Sequence, residues 1–289
     1  MKNKFSVNTG LYYDISLPDA VRRIAGLGFD YVELYRHSWE IDDVTRELKE
    51  IFRDTGIKPL AWHDHHELIF WAEDDCRDIY FVVKQVKQRL DFCAELGVKY
   101  LTLHYDFEAY DAASPVSPDE HPVFKAFPEI IEYAERSGIT ILFENTRVQT
   151  KFVRRLCELV DSPNIGMCVD IGHANLFEDI ETALATAGNL TKCLHMSDNF
   201  GMRRDGGFSD LHLAPGEGGI DWRKCIQTLK NINYQGVFNF ELCGSRYARE
   251  GVADIKGWGN YLPLKERDKL LRLARAHIKK NVFKITENP

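Results

Sequence analysis

Short apolar runs rich in β-branched and aromatic residues alternate along the chain with longer stretches in which apolar residues recur every three or four positions. The runs predict strands at Phe5–Asn8, Tyr31–Leu34, Lys58–Trp62, Tyr100–Leu103, Thr140–Phe143, Ile165–Val169, Thr191–Leu194 and Val237–Phe240. The periodic stretches predict helices at Pro18–Leu27, Asp42–Thr55, Asp78–Leu96, Pro122–Ser137, Thr150–Val160, Ile180–Ala187, Trp222–Asn231 and Pro263–Lys280. Several helices run into a glycine and then directly into the next strand, as at Leu27-Gly28, Leu96-Gly97 and Ser137-Gly138, where glycine enters the left-handed conformation at little cost. Strict alternation requires a parallel sheet covered by helices, and the right-handed crossover rule leaves a closed eight-stranded barrel or an open doubly wound sheet. Eight such units, with no glycine-rich phosphate loop after the first strand, favour a single (β/α)8 TIM barrel of the α/β class. No linker, low-complexity tract or compositional break interrupts residues 1–289, so one domain is expected to cover them.

Composition agrees with a globular chain: 44% hydrophobic, 12% aromatic and 28% charged residues exclude disordered, collagen-like and coiled-coil architectures. Against 37 Lys and Arg stand 44 Asp and Glu, a net charge of -7, which argues against nucleic acid or an anionic membrane surface as the main partner. No apolar run approaches the roughly 18–20 residues that cross a bilayer, and the start of the chain lacks a signal peptide's apolar stretch, so a soluble, cytoplasmic protein is expected. The seven cysteines (Cys76, Cys93, Cys157, Cys168, Cys193, Cys225, Cys243) are scattered, never form a Cys-x-x-Cys, and read as reduced core residues. Whether the chain forms a homo-oligomer is left open.

In a (β/α)8 barrel the active site is built at the carboxyl ends of the strands. Here the second strand runs into Glu33, the third into His63, the fourth into His104, the fifth into Glu144, the sixth into Asp170, the seventh into His195 and the eighth into Glu241. Any one of these alone is an ordinary polar strand terminus. Together they would repel one another or be costly to desolvate at one mouth unless a cation neutralised them. A divalent metal does so, and mixed carboxylate and imidazole ligands suit Zn2+ or Mn2+ better than Mg2+ or Ca2+. His173 lies one turn beyond Asp170, and Asp210 and His212 stand together in the loop after the seventh strand. His65 and His66 are competing ligand candidates beside His63, whereas His37, His121 and His277 read as solvated.

The segments Phe143-Glu144-Asn145-Thr146, Cys168-Val169-Asp170-Ile171-Gly172-His173-Ala174, Leu194-His195-Met196-Ser197-Asp198, Asp210-Leu211-His212 with Pro215-Gly216-Glu217-Gly218, and Phe240-Glu241 resemble, in order and spacing over nearly the whole chain, those of the xylose isomerase-like barrels. That superfamily includes sugar isomerases and epimerases, inosose-processing enzymes and endonuclease IV. The resemblance to its isomerases and epimerases implies one divalent metal, Mn2+ or Zn2+, held by Glu144, Asp170, His195 and Glu241. The resemblance to endonuclease IV extends to His63, His104, His173, Asp210 and His212, which stand where that enzyme's further zinc ligands stand, so three metals are the alternative.

Two functions follow as expectations. The first is a sugar, sugar phosphate or polyol ketone isomerase or epimerase, in which a metal stabilises an enediolate and Glu144 and Glu241 transfer the proton. His63, His104, His173, Asp210 and His212 then line the substrate side of the pocket, and Tyr35, Trp62, Tyr105 and Phe107 stack on the sugar. The second is phosphodiester hydrolysis at abasic DNA sites by a three-zinc centre. The acidic chain fits that poorly, since Arg203-Arg204 is too little for a phosphate track. A lyase or dehydratase on a related substrate shares the first steps and stays open.

Overall fold

The computed structural model describes residues 4–35, 44–64, 79–104, 126–146, 149–202, 210–246 and 260–286. Eight strands, β1 (Phe5–Asn8), β2 (Tyr31–Tyr35), β3 (Lys58–Asp64), β4 (Tyr100–His104), β5 (Thr140–Glu144), β6 (Ile165–Asp170), β7 (Thr191–Met196) and β8 (Val237–Phe240), close into one barrel in chain order. Every neighbouring pair is parallel, including β1 with β8. The helices are α1 (Leu17–Gly26), α2 (Thr45–Thr55), α3 (Ile79–Leu96), α4 (Phe127–Ser137), α5 (Thr150–Val160), α6 (Ile171–Phe177), α7 (Ile180–Ala187), α8 (Trp222–Asn231) and α9 (Leu264–Thr286). No helix among the described residues is long and apolar enough to cross a membrane.

The alternation of side chains along each strand creates two separate interiors. Outward positions such as Val7, Leu34, Leu101, Phe143, Leu194 and Phe240 join the helices in one continuous apolar layer, with Ile24, Leu90, Ile130, Leu156 and Ile226 opposite them. Trp62 belongs to that layer, its ring edge-on to Phe92 at 4.8 Å, so it packs between β3 and α3 and does not face the mouth as a sugar platform. Inward positions Ala61, Tyr100, Leu142, Cys168 and Cys193 form a small apolar plug inside the barrel. Further toward the carboxyl end the inward positions are Asn8, Glu33, His63, Glu144, Asp170, His195 and Asn239, with His104 four residues beyond Tyr100 at the end of β4. The plug thus forms a low-dielectric floor under a polar layer.

Most predicted elements stand where the hydrophobic pattern puts them, and Gly28, Gly97 and Gly138 take φ of 73°, 69° and 68° as the short returns require. Among the described residues the α-helix α6 is absent from the sequence reading: seven residues following directly on the last residue of β6 are too short to display a helical period. Cys93, Cys157, Cys168, Cys193 and Cys225 are buried free thiols and Cys243 is a half-buried one, while Cys76 lies outside the described residues. His37, His65, His66, Tyr105, Phe107, His121, Arg203 and Arg204 also lie outside them.

Candidate active site

Asp170 ends β6 and is at the same time the N-cap of α6, its Oδ1 accepting from the His173 backbone N–H at 2.7 Å. Capping uses one oxygen and leaves Oδ2 facing the mouth. The strand ends of β5 and β6 are clamped by Asn145, whose Nδ2 donates to the Asp170 carbonyl at 3.0 Å and whose Oδ1 accepts from the Asp170 N–H at 2.7 Å. His173, on the first turn of α6, is fixed with Nδ1 3.1 Å from the Asn145 carbonyl and Nε2 3.0 Å from Asp210 Oδ2. Asp210 Oδ2 also lies 3.1 Å from His212 Nε2, so the loop after β7 is joined to α6 through one shared oxygen.

That loop is held from beneath by Asp198. Its carboxylate accepts from the N–H groups of Asn199, Gly216 and Ile220 and from Trp222 Nε1 at 2.8 to 3.2 Å, and its backbone pairs with Leu213. His277 is half-buried against this loop, not solvated as the sequence suggested: a Cβ added at Gly216 would lie 2.6 Å from its ring.

At the centre, His195 Nδ1 lies 3.2 Å from Glu144 Oε1, 3.1 Å from Glu241 Oε2 and 3.9 Å from Asp170 Oδ2. His63 bridges the two glutamates, with Nε2 3.4 Å from Glu144 Oε2 and Nδ1 3.0 Å from Glu241 Oε1, and its Nε2 is 2.7 Å from His104 Nε2. Tyr35 stands beside them with its ring centre 5.4 Å from that of His63. Among the described residues, four sets of donor atoms are compact enough to hold a metal ion: Glu144, Asp170, His195 and Glu241; His63, His104 and Glu144; His173, Asp210 and His212; and Glu33, His63, His195 and Glu241.

The electrostatics follow from burial and proximity. Burial alone would push Glu144 and Glu241 up, yet the surrounding imidazoles, His195 foremost, hold both well below the usual carboxylate range. Asp170, farther from any imidazole, yields to burial and is pushed up to about 6. Burial would lower His173 and His195, but the adjacent acids hold both well above the usual imidazole range. His212 responds in the same way, reaching about 10 beside Asp210.

All nine residues singled out in the sequence (His63, His104, Glu144, Asp170, His173, His195, Asp210, His212 and Glu241) therefore come together at one mouth. Glu33 does not end its strand; it sits inside β2, fully buried below His195. Asn8 and Asn239, which contact Glu33, and Asn145 were not picked out individually. Strand alternation places Asn239 on the same face as Glu241, and that was the signal available for it.

A family model described as the xylose isomerase-like TIM barrel matches residues 21–261. An inosose isomerase of Bacillus velezensis is 23% identical over 239 residues, covering 76% of this chain and 81% of the relative. A D-psicose 3-epimerase of Enterocloster bolteae is 22% identical over 287 residues, covering 91% and 89%. Among solved structures, an IOLI protein with a bound zinc atom superposes with a TM-score of 0.75 at 20% identity, covering 96% of this chain and 99% of that one. The relatives with a named activity include this isomerase and this epimerase, and with the family model spanning most of the barrel, the chain belongs to the xylose isomerase-like TIM barrel family.

Proposed function

We propose that the chain is a divalent-metal-dependent epimerase or isomerase acting on a ketose or related polyol ketone, by proton transfer next to the carbonyl. The observation that carries this reading is the convergence of Glu144, Asp170, His195 and Glu241, whose donor atoms lie within 4.8 Å of one another. Glu144 Oε1 and Oε2, Asp170 Oδ2, His195 Nδ1 and Glu241 Oε2 are buried with no hydrogen-bond partner among the described residues. Glu144 Oε1, Asp170 Oδ2 and Glu241 Oε2 face His195 Nδ1 at 3.1 to 3.9 Å without completing a hydrogen bond, a costly arrangement for buried polar groups that a cation coordinated by them would relieve. Three carboxylates and one imidazole suit Mn2+ or Zn2+.

When bound, a divalent cation there would polarise the substrate carbonyl and stabilise the enediolate charge left by removal of the adjacent carbon-bound proton. Glu144 and Glu241 reach the centre from separated strands, and each turns one oxygen toward His195 and the other toward His63. Each can therefore hold the cation through one oxygen and take up or return a proton at the other. His173, fixed at both ring nitrogens, in turn holds Asp210, whose Oδ1 has no hydrogen-bond partner among the described residues and can accept from a substrate hydroxyl, and Tyr35 provides an aromatic wall. The substrates named for the relatives, inosose and psicose, are of this chemical class.

One observation favours a second reading, a three-metal phosphodiesterase. The nine residues sort into three donor groups, two of which share Glu144 while the third is His173, Asp210 and His212. The net charge of -7 weighs against a DNA substrate. Elemental analysis of protein purified without chelator separates the two, with one metal per chain expected for the sugar reading and three for the nuclease. Incubation with ketoses in deuterated water should then introduce label at the carbon beside the carbonyl. Three metals, nicking of an abasic duplex and no exchange in any sugar would overturn the proposal.

A further inference from the structure

Glu33 is wholly buried in β2 and stands outside the set Glu144, Asp170, His195 and Glu241. Its two oxygens have different partners. Oε2 accepts from Asn8 Nδ2 at 2.8 Å and from Asn239 Nδ2 at 2.7 Å, while Oε1 faces His195 Nε2 at 3.1 Å. The amide of Asn8 cannot turn over, because its Oδ1 accepts from the Gly10 N–H at 2.7 Å. Its nitrogen also lies 3.1 Å from Glu241 Oε1 and 3.3 Å from His63 Nδ1. It thus directs its hydrogen-bond donors at three of the four members of the group Glu33, His63, His195 and Glu241, and Glu33 Oε2 is engaged by amides while Oε1 is left to His195.

A neutral imidazole carries one proton, and the nitrogen that keeps it cannot be a metal ligand. A carboxylate accepts and does not donate, so Glu33 favours the proton on Nε2 and leaves the lone pair of Nδ1 facing Glu144, Asp170 and Glu241. We propose that Glu33, oriented by Asn8 and Asn239, is the positioning residue that fixes the tautomer of His195 and so prepares Nδ1 to bind the metal; this rests on the reading of the mouth as a metal site.

The geometry gives the idea a distinctive consequence. Two amides donate to a single oxygen position, so in Glu33→Gln the side-chain carbonyl turns toward them and the NH2 group turns toward His195. An NH2 group donates, which makes Nε2 the acceptor and moves the imidazole proton to Nδ1. Glu33→Ala instead leaves room for water, which accepts from Nε2–H. The isosteric variant is thus the poorer metal binder and the truncated one the less stable fold, whereas a purely structural role makes Ala worse in both respects.

The test is zinc affinity of wild type, Glu33→Gln and Glu33→Ala by competition with a chromophoric chelator, together with thermal unfolding and NMR of zinc-loaded protein labelled with 15N in histidine. Glu33→Gln is expected to weaken zinc by about 10–100-fold, the usual effect of losing such a partner, and, at a pH high enough for the imidazole to be neutral, to carry the His195 proton on Nδ1 in the unbound fraction where wild type carries it on Nε2. Glu33→Ala is expected to lose less affinity and to melt earlier. Unchanged affinity in Glu33→Gln, or a larger loss in Glu33→Ala, overturns the tautomer role while leaving the metal site standing. A wild-type protein that binds no zinc overturns both.

Discussion

His195 shows how one residue can be prepared for a cation by its neighbours. Burial would lower its pKa, but Cys168 and then Glu241, Glu33 and Glu144 hold the metal-free imidazole well above its usual range. A metal at Nδ1 must displace the proton held there, so affinity should rise with pH as the competing proton is lost. Calorimetric titration of metal-free protein with zinc in two buffers of different ionisation enthalpy is expected to show proton release that shrinks as pH increases. Glu241 is expected to act in the chemistry as well as the binding. In Glu241→Gln, turnover on any ketose that shows deuterium exchange should fall by about 10²–10⁴-fold, the range for loss of a general acid or base. Near-normal turnover with metal retained would remove Glu241 from the proton-transfer role.

At the scale of elements, the mouth depends on two short pieces of chain. Helix α6 starts on Asp170, so the same side chain caps a helix and faces the candidate metal position. The two tasks are separable: Asp170→Asn keeps an oxygen for the His173 N–H and removes a charge that burial disfavours, so the metal-free fold should be at least as stable while metal affinity falls. Asp170→Ala loses the cap as well, a cost of about 0.5–2 kcal/mol. Chemical denaturation of both variants beside metal titrations checks the separation. The second piece is the loop carrying Asp210 and His212. An added Cβ at Gly218 would lie 2.3 Å from Asp198 Oδ1 and 2.6 Å from the Asn199 carbonyl. Gly218→Ala must move backbone, and should cost about 1–3 kcal/mol as overpacking does, with the His212 resonances shifting in NMR spectra.

For the whole molecule, the mouth makes stability depend on pH. In the metal-free protein His212 has a value of about 10 against an ordinary 6.5. Its stabilisation is therefore complete below about 6.5 and is lost as pH rises through about 10. Asp170, raised from 3.8 to about 6, acts in the same direction, since its contribution is lost as pH rises from 3.8 through about 6. The melting temperature of metal-free protein is expected to decline on the alkaline side, and metal loading to reduce that decline. At a metal concentration a hundredfold above Kd, binding adds about 2.7 kcal/mol, or of the order of 5 °C in Tm. A chelator should reverse the gain in differential scanning calorimetry, and a Tm indifferent to both metal and chelator would count against the site.

Much of this was written in local pattern. Runs of alternating and helical periodicity, closed by glycines that the returns need, determined a (β/α)8 barrel, because each unit buries its apolar face only by pairing with the next. The residues at the ends of those runs determined what chemistry could gather at the mouth, since a parallel barrel brings all its strand ends to one side. Tertiary structure decided the rest. Trp62 has the same aromatic character as Tyr35, but alternation about the barrel wall puts one against α3 and leaves the other beside His63. Glu33 looked like one more strand-end acid, yet its contacts come from β1, β7 and β8, separated by 25 to 206 positions in sequence. No local signal encodes such a meeting. Helix α6 escaped because seven residues carry too little period to read, and its start is fixed by a capping hydrogen bond that exists only once β6 has taken its place in the barrel.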